Sequence, residues 1–180
     1  MNYGTIKPLD IANGEGIRVS LFVSGCTHRC HGCFNPETWD FQYGKPFGPE
    51  TEETIVRLLD RSYVNGLSLL GGEPFEPVNQ RALLPLIRRV RLEFPKKNIW
   101  AYTGYCYEND LLPGKRAFCE VTDEILDSLE VLVDGPFLES RKNISLRFRG
   151  SDNQRLIHMP ETRRTGQVVL LPDRDTGSGK

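Results

Sequence analysis

Hydrophobic and polar positions along the chain follow a strand-and-helix rhythm. Ile17-Arg18-Val19-Ser20-Leu21-Phe22-Val23 alternates and is rich in β-branched residues, which predicts a strand running straight into Ser24-Gly25-Cys26. Residues Glu53 to Arg61 have helical spacing, with Thr51 as the expected N-cap. Gly66-Leu67-Ser68-Leu69-Leu70 is a short apolar run that stops at Gly71-Gly72-Glu73-Pro74, a strand meeting a loop. From Asn79 to Phe94 the residues Leu83, Leu84, Ile87, Val90 and Phe94 form a helix stripe, with Pro85 read as a kink or a first-turn residue. Asn98 to Tyr102 predicts a third strand, ending at Thr103-Gly104-Tyr105. Thr122 is placed as the cap of a short helix through Leu129, Val131 to Val133 as a fourth strand before Asp134-Gly135-Pro136-Phe137, and Ile144 to Phe148 as a fifth.

Strand and helix in alternation predict a parallel α/β sheet. The expected strand ends at Val23, Leu70, Tyr102 and Val133 lie 47, 32 and 31 residues apart, a spacing that suits βα units. Most of the unusual short motifs follow directly on a strand, and parallel α/β folds bind ligands at the carboxyl ends of their strands. Those motifs are therefore expected to share one site. Asn13-Gly14-Glu15-Gly16 precedes a strand instead, so it is no dinucleotide fingerprint.

Composition narrows the class. The 180 residues suffice for one domain, and 38% hydrophobic with 26% charged residues fits a folded globular chain. With 23 Lys and Arg against 24 Asp and Glu, the net charge of −1 provides no global field for nucleic acid or an anionic membrane. No apolar run approaches the ~18 residues of a bilayer span, and the polar start after Met1-Asn2-Tyr3-Gly4 argues against a secretory signal. A cytoplasmic location is the expectation. The tail from Pro172 to Lys180 is polar and Gly-rich and is expected to be disordered.

Cysteine usage changes the picture most. The five are Cys26, Cys30, Cys33, Cys106 and Cys119, an odd count that does not suit a disulfide framework. Three of them form Cys26-Thr27-His28-Arg29-Cys30-His31-Gly32-Cys33, spaced C-x3-C-x2-C. The same offsets make one face of a helix, but Gly25, Gly32 and the strand feeding the motif oppose that reading. A structural zinc ion would need a fourth ligand, for which His28, His31, Cys106 and Cys119 are the candidates. A 4Fe–4S cluster normally takes four cysteines, so three would leave one iron open to a substrate.

The cysteine motif at the end of a first strand, followed by Gly71-Gly72-Glu73-Pro74 after the second, resembles the radical S-adenosylmethionine superfamily. Asn13-Gly14-Glu15-Gly16, Leu21-Phe22-Val23-Ser24-Gly25-Cys26, Thr38-Trp39, Trp100-Ala101-Tyr102-Thr103-Gly104-Tyr105, Val133-Asp134-Gly135 and Arg149-Gly150-Ser151-Asp152-Asn153-Gln154 are similar to the branch that activates anaerobic ribonucleoside-triphosphate reductases. The resemblance covers roughly residues 1 to 158, the expected cofactor domain, and leaves 159 to 180 as a C-terminal extension. Gly32 stands where many superfamily members have an aromatic residue, with Phe34 just after, and Glu73 stands where this branch often has aspartate.

This resemblance implies a single-domain α/β fold, an open partial (β/α)6-type barrel of parallel strands. It implies that Cys26, Cys30 and Cys33 hold three irons of a 4Fe–4S cluster and that the fourth iron binds S-adenosylmethionine. Gly71, Gly72 and Glu73 would meet the methionine ammonium, and Gly32, Cys33 and Phe34 the adenine or ribose. Thr103-Gly104-Tyr105 and Asp134-Gly135 would lie near the nucleoside or serve as plain turns. One electron would cleave S-adenosylmethionine to a 5′-deoxyadenosyl radical, which would take hydrogen from a glycine of the large reductase subunit. A flavodoxin-type protein is the implied electron donor. No side chain is singled out as an acid or base. His28 and His31 are read as spectators, and Cys106 and Cys119 as thiols outside the cluster. Arg147, Arg149 and Arg155 are read as anion or partner contacts, with a solvated face as the alternative. Activation of another glycyl-radical enzyme, a zinc-stabilised binding module and a small electron carrier are the competing readings.

Overall fold

The computed structural model describes residues 1–172, so the tail expectation from Asp173 to Lys180 lies outside the described residues. The strands are β1 (Asn2–Asp10), β2 (Ile17–Val23), β3 (Lys45–Pro46), β4 (Val64–Gly71), β5 (Asn98–Tyr102), β6 (Val131–Asp134) and β7 (Arg155–His158). The helices are α1 (Pro49–Leu59), α2 (Pro77–Glu93), α3 (Thr122–Asp127) and α4 (Met159–Thr165). The strands form one mixed sheet in the order β3-β1-β2-β4-β5-β6-β7. Strands β2, β4, β5 and β6 are parallel, as the alternation predicts. The flanks are antiparallel: β1 pairs with both β2 and β3, and β7 pairs with β6.

The expected six parallel βα units are thus corrected to four parallel strands with antiparallel edges. The strand expected at Ile144–Phe148 is a run of turns in which Ile144 is exposed and Phe148 has a positive φ of 61°. The last strand is instead Arg155–His158, whose Leu156 and Ile157 point to opposite faces. Strand β1 was absent from the hydrophobic pattern because its outer positions are largely exposed and its register is broken twice by irregularities.

The pleat of β2 divides the molecule into two faces. Val19, Leu21 and Val23 point into the main core with Leu67, Leu69, Ile99 and Leu132, against Ile55 and Leu59 of α1, Leu83, Ile87 and Val90 of α2, and Ile125 of α3. Helix α1 begins at Pro49 with Gly48 as its N-cap, three residues before the expected cap Thr51. Thr122 does not cap α3 either: its buried hydroxyl donates to Gln80 Oε1 at 2.6 Å and accepts from Cys119 N–H at 2.8 Å. Pro85 sits within α2, and the helix continues through it to Glu93. Helix α4 packs against α3, and its Met159 is fully buried. Among the described residues, no helix is long and apolar enough to cross a membrane.

The opposite face bears Arg18, which is 0% exposed. Its Nε donates to Ser68 Oγ at 2.6 Å, its Nη1 to Asn98 Oδ1 and Glu15 O, and its Nη2 to Leu67 O at 2.7 Å, while the guanidinium lies over Trp100. Burial pulls its pKa down to about 10, so it stays charged at neutral pH. The Asn13–Gly16 turn folds over this side chain, with Ser68 Oγ donating to Asn13 O. A Cβ on Gly14 (φ 125°) would stand 2.7 Å from Arg18 Cδ, which explains the glycine without any nucleotide. Arg18→Leu is expected to destabilise the fold by about 2–4 kcal/mol, because several buried acceptors lose their donor. The check is a lower urea midpoint with an unchanged slope.

Candidate metal centre

The carboxyl ends of β2 and β4 are laced together, and the lacing shapes the cysteine loop. Gly72 N–H donates to Val23 O and Glu73 N–H to Gly25 O, each at 2.8 Å. Gly25 N–H and Cys26 N–H donate in turn to Thr38 O and Trp39 O. The two glycines are required sterically: a Cβ on Gly71 (φ 105°) would meet the Phe22 backbone at 2.8 Å, and one on Gly72 would meet Gly25 O at 2.7 Å. Residues 24–35 form no helix, so the i, i+4, i+7 helical face does not exist.

Cys26, Cys30 and Cys33 all line one cleft of about 490 Å³. Gly71, Gly72, Glu73, Phe34, Tyr102, Thr103, Gly104 and Gly135 line it too, so the motifs after β2, β4, β5 and β6 converge. Asn35 N–H donates to Cys33 Sγ at 3.4 Å. Burial first, and then the charge of Glu73, push the Cys26 thiol up to about 12. A thiol so placed stays protonated by itself, and a bound cationic centre would reverse that balance.

Of the four candidates for a fourth zinc ligand only His28 lines the cleft, and it is engaged with Glu73. His28 Nε2 lies 2.9 Å from Glu73 Oε2, and the His28 ring packs on Tyr105 with centroids 4.3 Å apart. His31 is exposed and contacts Glu139. Cys106 and Cys119 do not line the cleft, and Cys119 is buried beside Thr122. Among the described residues, no three His, Cys, Asp or Glu side chains converge on a single metal-ion position. Three thiols around a roomy cleft fit a cluster, which spreads its ligands over several irons, better than a closed tetrahedral site.

Glu73 is 1% exposed and accepts three hydrogen bonds: from Phe75 N–H at 2.8 Å, from Gly104 N–H at 2.8 Å and from His28. Its carboxylate therefore ties the loops after β2, β4 and β5 together. Asn79, fully buried in α2, adds to the same junction by donating from Nδ2 to Ser24 O at 3.0 Å and to Glu73 O at 2.9 Å. Neither Asn79 nor its neighbour Glu76 stood out in the sequence. The available signal was a polar residue on the buried side of a helix directly after the Gly-Gly-Glu-Pro turn.

The far wall comes from the loop after β6. Phe34 packs on Phe137 with centroids 5.1 Å apart, and Lys142 lies over Phe34. Gln154 holds this wall by donating from Nε2 to Gly135 O, while its Oε1 accepts from Gly150 N–H. Arg149 lines the cleft and donates to Gln154 O. Arg155 turns away to Asp134 and Glu108, and these pairs raise its pKa. Arg147 stacks on Phe148. The three arginines are thus not one anion site. Asp134 and Tyr105 do not line the cleft, whereas Gly135, Thr103 and Gly104 do.

Residues 12–157 match the family model described as a 4Fe-4S single cluster domain. The chain is 42% identical over 161 residues to the anaerobic ribonucleoside-triphosphate reductase-activating protein of Escherichia coli K12, covering 88% of this chain and 99% of that protein. It is 42% identical to the protein of the same name from Haemophilus influenzae, over 88% of this chain and 97% of that protein. The counterpart of Enterobacteria phage T4 is 40% identical, over 87% of this chain and 93% of that protein. With its cysteine cleft and similarity along almost its whole length, this chain belongs to the family of anaerobic ribonucleoside-triphosphate reductase-activating proteins.

Proposed function

We propose that this chain activates an anaerobic ribonucleoside-triphosphate reductase by generating a glycyl radical on it. The observation that carries this reading is the convergence of Cys26, Cys30 and Cys33 with Gly71, Gly72 and Glu73 on one cleft. The three thiols would hold a 4Fe–4S cluster and leave one iron for S-adenosylmethionine. When bound, the cluster would supply the electron for reductive cleavage of S-adenosylmethionine, and the partner's glycine would give up a hydrogen to the deoxyadenosyl fragment.

The chain's own residues orient and enclose. Gly71 and Gly72 bring the strand ends close enough for backbone groups to face the methionine end, and Glu73 keeps one acceptor position beyond its three bonds. Cys33 and Phe34 are assigned to the adenine and ribose, with Phe34 and Phe137 providing apolar cover, whereas Gly32, the third residue expected there, lies beside Glu139 and does not line the cleft. The cleft holds the reacting groups in one geometry and limits water. Residues 1–158 form the working domain in this reading, a reduced flavodoxin-type protein delivers the electron, and the setting is the cytoplasm.

The test is paramagnetic resonance of reconstituted protein, S-adenosylmethionine, reductant and reductase without oxygen. A glycyl doublet is expected, and reductase labelled with deuterium at the glycine Cα should pass label into deoxyadenosine. Cleavage of S-adenosylmethionine with no radical on the reductase would move the target to another glycyl-radical enzyme.

A further inference from the structure

We infer that Glu76 is a positioning residue for the first cluster ligand, acting through Thr27. This rests on the reading that Cys26 is such a ligand. Glu76 is 6% exposed and occupies the N-cap position of α2. A side chain there commonly accepts from its own helix, but Glu76 makes no such bond. Its Oε1 accepts instead from Thr27 N–H at 2.8 Å and from Thr27 Oγ1–H at 2.6 Å. The first-turn amides of Asn79 and Gln80 are satisfied by the Glu76 backbone carbonyl. The carboxylate is thus free of helix duty and directed at the residue after Cys26.

That residue is the first of three between Cys26 and Cys30, and the second, His28, is held by Glu73. Two carboxylates three positions apart in sequence therefore grip two successive residues of the same loop. Thr27 is itself an exposed residue, so its conformation is not set by core packing. Bonds to a buried carboxylate are the stronger kind and fix direction as well as distance. These bonds fix the loop through groups other than its thiols. The negative end of this contact also lies at a helix N-terminus, where the dipole favours it.

The experiment follows iron loss from reconstituted protein to a chelator without oxygen, together with the visible circular dichroism of the cluster. Glu76→Ala is expected to lose iron roughly ten- to a hundredfold faster, the equivalent of one charge-assisted bond, and to show an altered spectrum. Glu76→Gln, whose amide oxygen still accepts from Thr27, should keep the native spectrum and a rate within about threefold of the parent. Thr27→Val should speed loss on its own, and the alanine change should have a smaller effect in that background, because the two residues share one contact. Iron loss at the parent rate in both Glu76→Ala and Thr27→Val overturns the proposal. So does a glutamine variant as labile as the alanine one, or two changes whose effects simply multiply. If Glu76→Ala does not fold, Thr27→Val and Glu76→Gln decide alone. Parent protein that takes up no iron would instead overturn the cluster reading, and it is seen before any variant is made.

Discussion

Alanine at Cys26, Cys30 or Cys33 is expected to take iron loading from about four per chain, the content of one cubane cluster, to near zero. Alanine at Cys106 or Cys119 should leave most of it. The difference follows from position: the first three line the cleft, while Cys106 and Cys119 lie outside it. The variants should still fold, because the loop is held by bonds that involve no sulfur, among them Cys26 N–H to Trp39 O and Thr27 to Glu76. Iron and sulfide analysis after anaerobic reconstitution, with far-ultraviolet dichroism as the folding control, measures both halves. Stoichiometric zinc that survives reconstitution in the parent protein would overturn the assignment.

Replacing Glu73 with alanine is the second large effect, and it reaches beyond the cofactor. A reading of Gly71-Gly72-Glu73-Pro74 as a cofactor motif alone predicts weaker S-adenosylmethionine binding with the rest intact. In the structure the same carboxylate satisfies Phe75 N–H, Gly104 N–H and His28 at a junction that is almost fully buried. Removing it leaves two buried backbone donors and His28 without their acceptor, which is expected to cost about 1–3 kcal/mol for each unsatisfied group. Together that is a large part of the ~5–15 kcal/mol that holds a domain together. Glu73→Gln keeps only one of the two acceptor oxygens, so an amide NH2 faces either Phe75 N–H at the Oε1 position or Gly104 N–H and His28 at the Oε2 position, and this variant should also lose stability, though less than alanine. Its S-adenosylmethionine affinity should still fall by about tenfold, as one charge-assisted contact is worth roughly 1.5–3 kcal/mol. Urea unfolding of both variants and titration of the cluster spectrum with S-adenosylmethionine separate the two roles. An alanine variant with the parent's urea midpoint would mean that this junction contributes little.

The parallel centre of the sheet and the location of the site were legible in the residue pattern. Strands β2, β4, β5 and β6 are short apolar runs buried on both faces, and each ends at a motif containing glycine, so alternation and turn chemistry both mark them. The sheet edges were not legible. Strand β1, between β2 and the two-residue edge strand β3, has a largely exposed pattern, and β7 is four residues long. Ile144 to Phe148 has the apolar content of a strand, yet its backbone turns: Ile144 is exposed, and Phe148, at a positive φ, packs its ring on Trp100 with a centroid distance of 5.2 Å.

By itself, the sequence determined the cysteine spacing, the glycine pair and the strand ends, because these depend on neighbours along the chain. Only the tertiary structure decided what Glu73, Glu76, Asn79 and Arg18 do. Glu73 meets Gly104 across 31 positions, Glu76 meets Thr27 across 49, and Arg18 meets Ser68 across 50. A buried polar side chain is defined by the partner that satisfies it. When that partner is set by which strands lie side by side, no local pattern can name it.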